Sequence, residues 1–322
     1  MSIVKGPLFS LDADGTIGKS LSYSKKKQNA IVSKYSKPGD VSPGESSPRQ
    51  KDQRSIIRLI TIHWQCMDDI DRITWETAAK AARFKGSGYH YFLHLAQSDL
   101  LTYLGLEVYL SMNYENAGIV PDLSGNGNNG TLMPVYPCDC PTLLDSYNIN
   151  QGKALNLDGP SKYLFSRRNS VIDNSLNNFT ISYYLKYTVP GFSGFVPGVH
   201  KGSGTGAIGY SLFSEYDHPR AEIRTDSSAR VVIRGSSNVN DGKWHNIVCT
   251  FDRNSYMTIY TDSIYDSRKD ISAYSGQSLY TATRLYIGTI LPYFSYSTVD
   301  NILIYNLVLP EKEIKLNYSL SK

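Results

Sequence analysis

The sequence predicts a mainly β protein, a large antiparallel sandwich preceded by a small α+β region. Three observations carry this. Among 322 residues there are 25 Tyr against 10 Phe and 3 Trp, with 25 Gly; tyrosine suits half-wet sheet faces and glycine suits turns. Residues 241–252 open on the turn signal Asp241-Gly242 and continue as a strand rich in β-branched and aromatic residues. Helical spacing of apolar residues falls in residues 49–101.

Gly6, Gly15 and Gly18 punctuate the approach to a predicted hairpin, in which residues 17–23 and 29–35 flank the polar turn Lys25-Lys26-Lys27-Gln28. Residues 38–48, rich in Pro, Gly and Ser, read as a linker. From Arg49 to about Met67, an apolar stripe of Ile56, Ile57, Ile60, Trp64 and Met67 predicts a helix. Asp68 or Asp69 is suited to cap a second helix carrying Ile70, Ile73, Ala78, Ala81 and Ala82 beside Trp75, with Gly86-Ser87-Gly88 ending it. A third helix is expected from Tyr89 to about Leu101. Trp64 and Trp75 are expected in the core of this part. The expected organisation is a hairpin-plus-helices docking domain over 1–105 and a sandwich over 106–322.

The first sandwich strand is expected over residues 107–113. In the stretch 241–252, Trp244, Val248 and Thr250 point to one side and His245, Ile247, Cys249 and Phe251 to the other. Apolar bulk on both sides predicts a central strand covered on both faces, with Trp244, Val248 and Phe251 in the core.

This stretch resembles the central strand of LamG-like, concanavalin A-like jelly rolls. Further landmarks stand in the family's order: residues 122–131, 152–159, 179–182, 209–212, 285–288, and 299–305 before 309–314. The resemblance, from about residue 106 to the end, implies a jelly roll of two stacked antiparallel sheets. That fold hosts lectins, adhesins, hydrolases and inert spacers, so function has to be argued from a site. Residues 6–92 are similar to a segment of tailed-phage structural proteins: a Gly-rich hairpin, a Pro-rich linker, then a helix pair with two Trp, here Trp64 and Trp75. The chain departs from that pattern at Ser46-Ser47-Pro48 and at Lys25-Lys26-Lys27.

Formal net charge is +4, and residues 1–60 hold 11 Lys or Arg against 5 Asp or Glu. A basic segment on a near-neutral body fits an acidic partner or a solvated surface; the lysine hairpin lacks the interleaved aromatics of a nucleic-acid surface. Cys66 and Cys249 sit in apolar patterns and read as buried thiols, while Cys138 and Cys140 form a lone loop pair. The N-terminus has no secretory pattern and no window is apolar enough for a membrane span, so the sequons at Asn129, Asn178 and Asn317 read as chance.

Four kinds of site can be weighed. A sandwich glycosidase needs carboxylates at alternating positions of one strand; Glu215-Tyr216-Asp217 begins such a pattern, but Arg220 stands where the acid would be. His90 and His94 lie one helical turn apart, near His63 and Cys66, and read as zinc ligands or as helix packing. Asp122 resembles the family's early loop residue, whose carboxylate joins a later Asp, here Asp300, around Ca²⁺; the alternative gives Asp122 an Asx turn and Asp300 a strand-end hydrogen bond. Sugar stacking points to Tyr183, Tyr184, Tyr187, Tyr293, Phe294 and Tyr296.

The expected function is a non-enzymatic virion structural protein of a tailed phage, in capsid decoration or the tail. Residues 1–105 would contact virion proteins and further copies of the chain, while the jelly roll binds glycans or a host surface. Calcium is the one cofactor expected, and neither membrane nor nucleic acid is an expected partner. The alternatives are a cellular carbohydrate-binding lectin or adhesin and, more remotely, a glycoside hydrolase.

Overall fold

The structure is a computed structural model describing residues 15–17, 21–26, 29–34, 47–113, 117–133, 141–146, 152–158, 162–166, 176–189, 194–202, 206–226, 228–290 and 293–319. The loop cysteines Cys138 and Cys140 and nearly all of the predicted linker lie outside these residues. Two compact units divide between Ser47 and Pro48.

In the first unit, strands β1 (Gly15–Ile17), β2 (Leu21–Lys26) and β3 (Asn29–Lys34) form an antiparallel sheet in that order. Lys26 pairs with Asn29. Lys25 and Lys26, expected in the turn, extend the strand instead.

The second unit opens with helices α1 (Pro48–Cys66), α2 (Asp69–Ala81), α3 (Gly88–Ala96) and α4 (Leu100–Leu104). Asp68 caps α2, its Oδ1 accepting the Asp71 N–H at 2.8 Å. The single helix expected over 89–101 is two, because Asp99 starts a new one by accepting the Thr102 N–H at 2.9 Å.

The strands follow: β4 (Leu106–Leu110), β5 (Ile119–Val120), β6 (Gly130–Met133), β7 (Thr142–Asp145), β8 (Lys153–Asp158) and β9 (Tyr163–Ser166). Then come β10 (Phe179–Tyr187), β11 (Phe195–Lys201), β12 (Gly209–Glu215), β13 (His218–Arg224), β14 (Arg230–Arg234), β15 (His245–Phe251), β16 (Tyr256–Thr261) and β17 (Ile264–Asp270). The last are β18 (Leu285–Ile287), β19 (Thr289–Ile290), β20 (Tyr293–Phe294) and β21 (Tyr296–Tyr305), before helix α5 (Glu311–Ser319).

Two eight-stranded antiparallel sheets result. The first runs β17-β16-β15-β10-β21-β8-β7, with β4 also on β21; the second runs β14-β13-β12-β11-β18-β9-β6-β5. Ten-residue β21 is long enough for β8 and β4 to pair with its two halves.

Between the sheets lies one apolar core, in which Ile247, Cys249 and Phe251 from β15 meet Phe179, Ile181, Tyr183 and Leu185 from β10. Phe179 and Phe251 are register partners and stack at 4.1 Å between ring centroids. Val248, on the opposite face of β15, joins a second core with Leu59, Ile60, Phe92, Leu104, Leu303, Tyr305 and Ile314. So β15 is covered on both faces as predicted, by the other sheet and by helices. Trp64 and Trp75 pack against this second core, with Trp75 edge-on to Phe92 at 5.0 Å. The helices therefore belong to the same compact unit as the sandwich, and the contacts divide at Pro48 instead of at residue 105/106.

Trp244 departs from expectation. It precedes β15, is only partly buried, and lines a surface groove with Leu144, Lys186 and Thr188. The turn it follows is held by His245, whose two ring nitrogens lie 2.8 Å from Asp262 and 2.9 Å from Asp241.

Candidate functional site

The outer face of the second sheet carries a cleft of about 410 Å³. Strands β11 to β14 build it, and their alternation decides what faces it. Val196, Val199, Leu212, Ala221, Ile223, Val231 and Ile233 point into the sandwich core. The residues between them, Phe195, His200, Ser211, Phe213, Glu215, Arg220, Glu222, Arg224 and Arg230, line the cleft. Tyr216 (φ 47°) and Asp217 (φ 69°) make the two-residue turn joining β12 to β13, with both residues in the left-handed region that such hairpins favour. Glu215 is thereby brought beside the β13 arginines.

One end of the cleft is aromatic. Phe195 lies 4.3 Å from Phe213 and 5.0 Å from Tyr293 between centroids. Tyr293 is 47% exposed, so its ring is available to a ligand. Arg220 sits 5.2 Å over the Phe213 ring and links this wall to a charged floor. Glu215 accepts from Arg220 and Arg234. Glu222 accepts from Arg230 Nε at 2.8 Å and from its terminal nitrogen at 2.9 Å. Arg220 and Arg224 reach the same carboxylate at 3.4 Å and 3.5 Å.

His200 lies deep in the lining, 5% exposed, with Nδ1 at 2.9 Å from Ser211 Oγ. Burial pushes its pKa down to about 4, against opposing pulls from Glu222 and the Gly202 backbone, so the ring is neutral at physiological pH. Its Nε2 is buried without a hydrogen-bond partner.

The sequence-predicted sugar-binding tyrosines divide sharply. Tyr293 is in the cleft. Tyr296 is partly buried at the start of β21, and the Phe294 side chain lies outside the described residues. Tyr183 is fully buried in the inter-sheet core, and Tyr184 and Tyr187 are 7% and 1% exposed. No sugar can stack on them. Their strand is central and covered on both faces, so the wet face assumed for them does not exist.

Asp122 makes the Asx turn. Its Oδ1 accepts the N–H groups of Tyr109 at 2.9 Å and Ser124 at 3.0 Å, and its Oδ2 accepts that of Asn128 at 2.9 Å. Loop 122–129 is thus fastened to β4. Asp300 is fully buried and accepts from Ser146 Oγ and the Asn301 N–H. Burial pushes its pKa well above the usual carboxylate range, with the Asp52 charge adding to the rise. The two aspartates share no donor, and each is committed to protein groups. Among the described residues no cluster of three or more His, Cys, Asp or Glu is placed to hold a metal. His90 bonds Ser87 Oγ through Nδ1 at 2.8 Å, and His94 stacks on Phe84 at 5.7 Å, which is the helix-packing role.

Most of the cleft was missed from sequence. A signal existed in His218–Arg224, where Arg220, Glu222 and Arg224 alternate with Ala221 and Ile223. That is a strand with one dry face and one ionic face. Asp217, which suggested a catalytic pattern, lies in the turn and accepts from Asn240 Nδ2 at 2.8 Å.

The comparisons with known proteins agree with this architecture. Residues 158–315 match the family model of the concanavalin A-like lectin/glucanases superfamily. No curated protein sequence matches the chain. Among solved structures, the binding domain of Paraclostridial Mosquitocidal Protein 1 superposes with a TM-score of 0.54 at 15% identity, covering 67% of this chain and 52% of that one. The botulinum neurotoxin serotype D binding domain gives 0.52 at 12% identity, covering 67% and 51%. The serotype D ligand-binding domain in complex with N-acetylneuraminic acid gives 0.52 at 15% identity, covering 67% and 50%. The chain spans about half the length of these domains, and the likeness is one of fold. Residues 158–315 are a concanavalin A-like lectin/glucanase domain.

Proposed function

We propose that this chain is a lectin-like binding protein that takes glycans in the cleft over β11–β14. The observation that carries the reading is the pairing of an aromatic wall that presents exposed Tyr293 with a partly buried ionic floor in one concavity. Sugar rings offer an apolar C–H face to aromatics and hydroxyls to fixed polar groups, and this lining supplies both. The toxin binding domains of the same fold, one of them in complex with N-acetylneuraminic acid, give the reading a precedent in fold alone. Catalysis is not part of it. Glu215 and Glu222 are each gripped by two or more arginines, so neither is free to serve a glycosidic oxygen. A glycan array probed with the full chain should give specific hits, and Tyr293→Ala should weaken them about tenfold, the scale of a lost stacking contact. An array without hits, or hits indifferent to Tyr293, would count against the cleft.

We also propose that the module is displayed on a tailed-phage particle, on head or tail, with residues 1–105 contacting virion proteins and further copies of the chain. The support is the resemblance of residues 6–92 to phage structural proteins. Immunogold labelling of purified particles tests it; label confined to a host cell envelope would favour the cellular adhesin.

A further inference from the structure

We infer that the cleft selects acidic glycans, receiving a sugar carboxylate at its Arg224 end while the sugar ring lies toward Tyr293. This rests on the glycan-binding reading and names the class of glycan.

The starting point is a mismatch of donors and acceptors. Among the described residues, the carboxylates that Arg220, Arg224, Arg230 and Arg234 pair with are those of Glu215 and Glu222. A guanidinium carries about five N–H donors and a carboxylate about four acceptor positions, so donors exceed acceptors more than twofold. The charge is also stacked unfavourably. Arg224 is the register partner of Arg230, and Arg220 of Arg234. Like charges directly opposite one another on a sheet destabilise it, and two glutamates relieve four arginines only in part.

The Nε of Arg220 and that of Arg224 are both buried without a hydrogen-bond partner, and the shortfall is larger at Arg224, which lacks the close carboxylate contact that Arg220 makes with Glu215. Arg230 holds both oxygens of Glu222 at 2.8 Å and 2.9 Å, whereas the Arg224 contact with that carboxylate is 3.5 Å. The paired position beside Arg224 carries no side chain, because its register partner on β12 is Gly209. That glycine has φ 138°, and a Cβ there would stand 1.8 Å from the Lys201 carbonyl oxygen. No side chain at position 209 can fill the place next to Arg224, and among the described residues Gly206 and Ala207 keep the nearby wall low. Among the described residues the gap therefore pairs open space with an under-supplied fork donor, which matches a planar carboxylate in shape and charge. Neutral His200 lines the cleft between the gap and the aromatic wall.

The test uses the full chain and two matched pairs in calorimetry or biolayer interferometry: oligogalacturonate against its methyl ester, and sialyllactose against lactose. The acidic member of at least one pair should bind about tenfold tighter or better, the scale of a charge-assisted hydrogen bond. Added salt should shrink the ratio, and Arg224→Gln should bring it to about twofold or less. Arg230→Gln asks the same question should the first variant fail to fold. Arg268→Gln removes an arginine outside the cleft, one that lies over Tyr256, and should leave the ratio as it was. Equal affinity within both pairs, a preference that survives Arg224→Gln and Arg230→Gln, or one lost equally in Arg268→Gln would overturn the inference. Binding of neutral glycans without an acid preference would sink this inference and spare the glycan-binding reading. No binding of any glycan would sink both.

Discussion

Trp244 and Phe251 sit in one predicted strand and have different fates. Phe251 is fully buried against Phe179, whereas Trp244 lines a surface groove. Phe251→Ala should cost ~3–5 kcal/mol in urea unfolding, and Trp244→Ala roughly half of that or less; equal costs would mean that Trp244 belongs to the core. Asp300 gives a pH prediction. Its folded pKa is raised by burial, so the stability it contributes is fully present below its unfolded pKa of about 4 and is lost as pH rises through the folded value. Asp52, also raised by burial, adds with the same sign. Asp300→Asn mimics the neutral acid and should flatten the fall in stability between wild-type samples at pH 4 and pH 8. An unchanged slope would contradict the account of that site. At this scale sequence located residues and could not say which were buried. Alternation put Ile247, Cys249 and Phe251 on one face and Val248 on the other, which holds. The same alternation in β10 could not reveal that both of its faces are covered, and so Tyr183 was misread.

The helices are a cover for the first sheet. Ile60, Leu59, Phe92 and Leu104 close the outer face formed by Tyr109, Val248, Leu303 and Tyr305. Polar contacts fix the fit: Asp52 on α1 accepts from Ser111 Oγ at 2.7 Å and Asn113 Nδ2 at 2.6 Å, and His63 meets Glu313 of α5 at 3.3 Å. A chain begun at residue 106 would leave this apolar face wet and should aggregate or bind a hydrophobic dye; one begun at Pro48 should stay monodisperse. Similar behaviour of the two would show that the cover is dispensable. Helix positions were legible because the apolar stripe of α1 and the Asp68 cap are local signals. Their destination was not, since a stripe says that a face is buried and not what buries it. The same limit hid the cleft, whose residues come together only through the pairing of β11, β12, β13 and β14.

As a whole, the second unit is a sandwich with one sheet face sealed by helices and the other shaped into an aromatic and ionic cleft. The fold could be recognised from ordered landmarks spread along the chain. Its binding face could not, because in sequence Glu215, Asp217 and Arg220 read only as a catalytic pattern broken at Arg220, and nothing local joins Arg220 to Glu222, Arg224 and the arginines of β14. The central claim is that ligand binds on β11–β14. Amide chemical-shift mapping of the full chain, titrated with the best glycan from the array, addresses it most directly. The account predicts that the largest shifts fall on residues 195–202, 209–224, 230–234 and around Tyr293. Shifts centred on loop 122–129 or on the Trp244 groove, with β11–β14 silent, would contradict it.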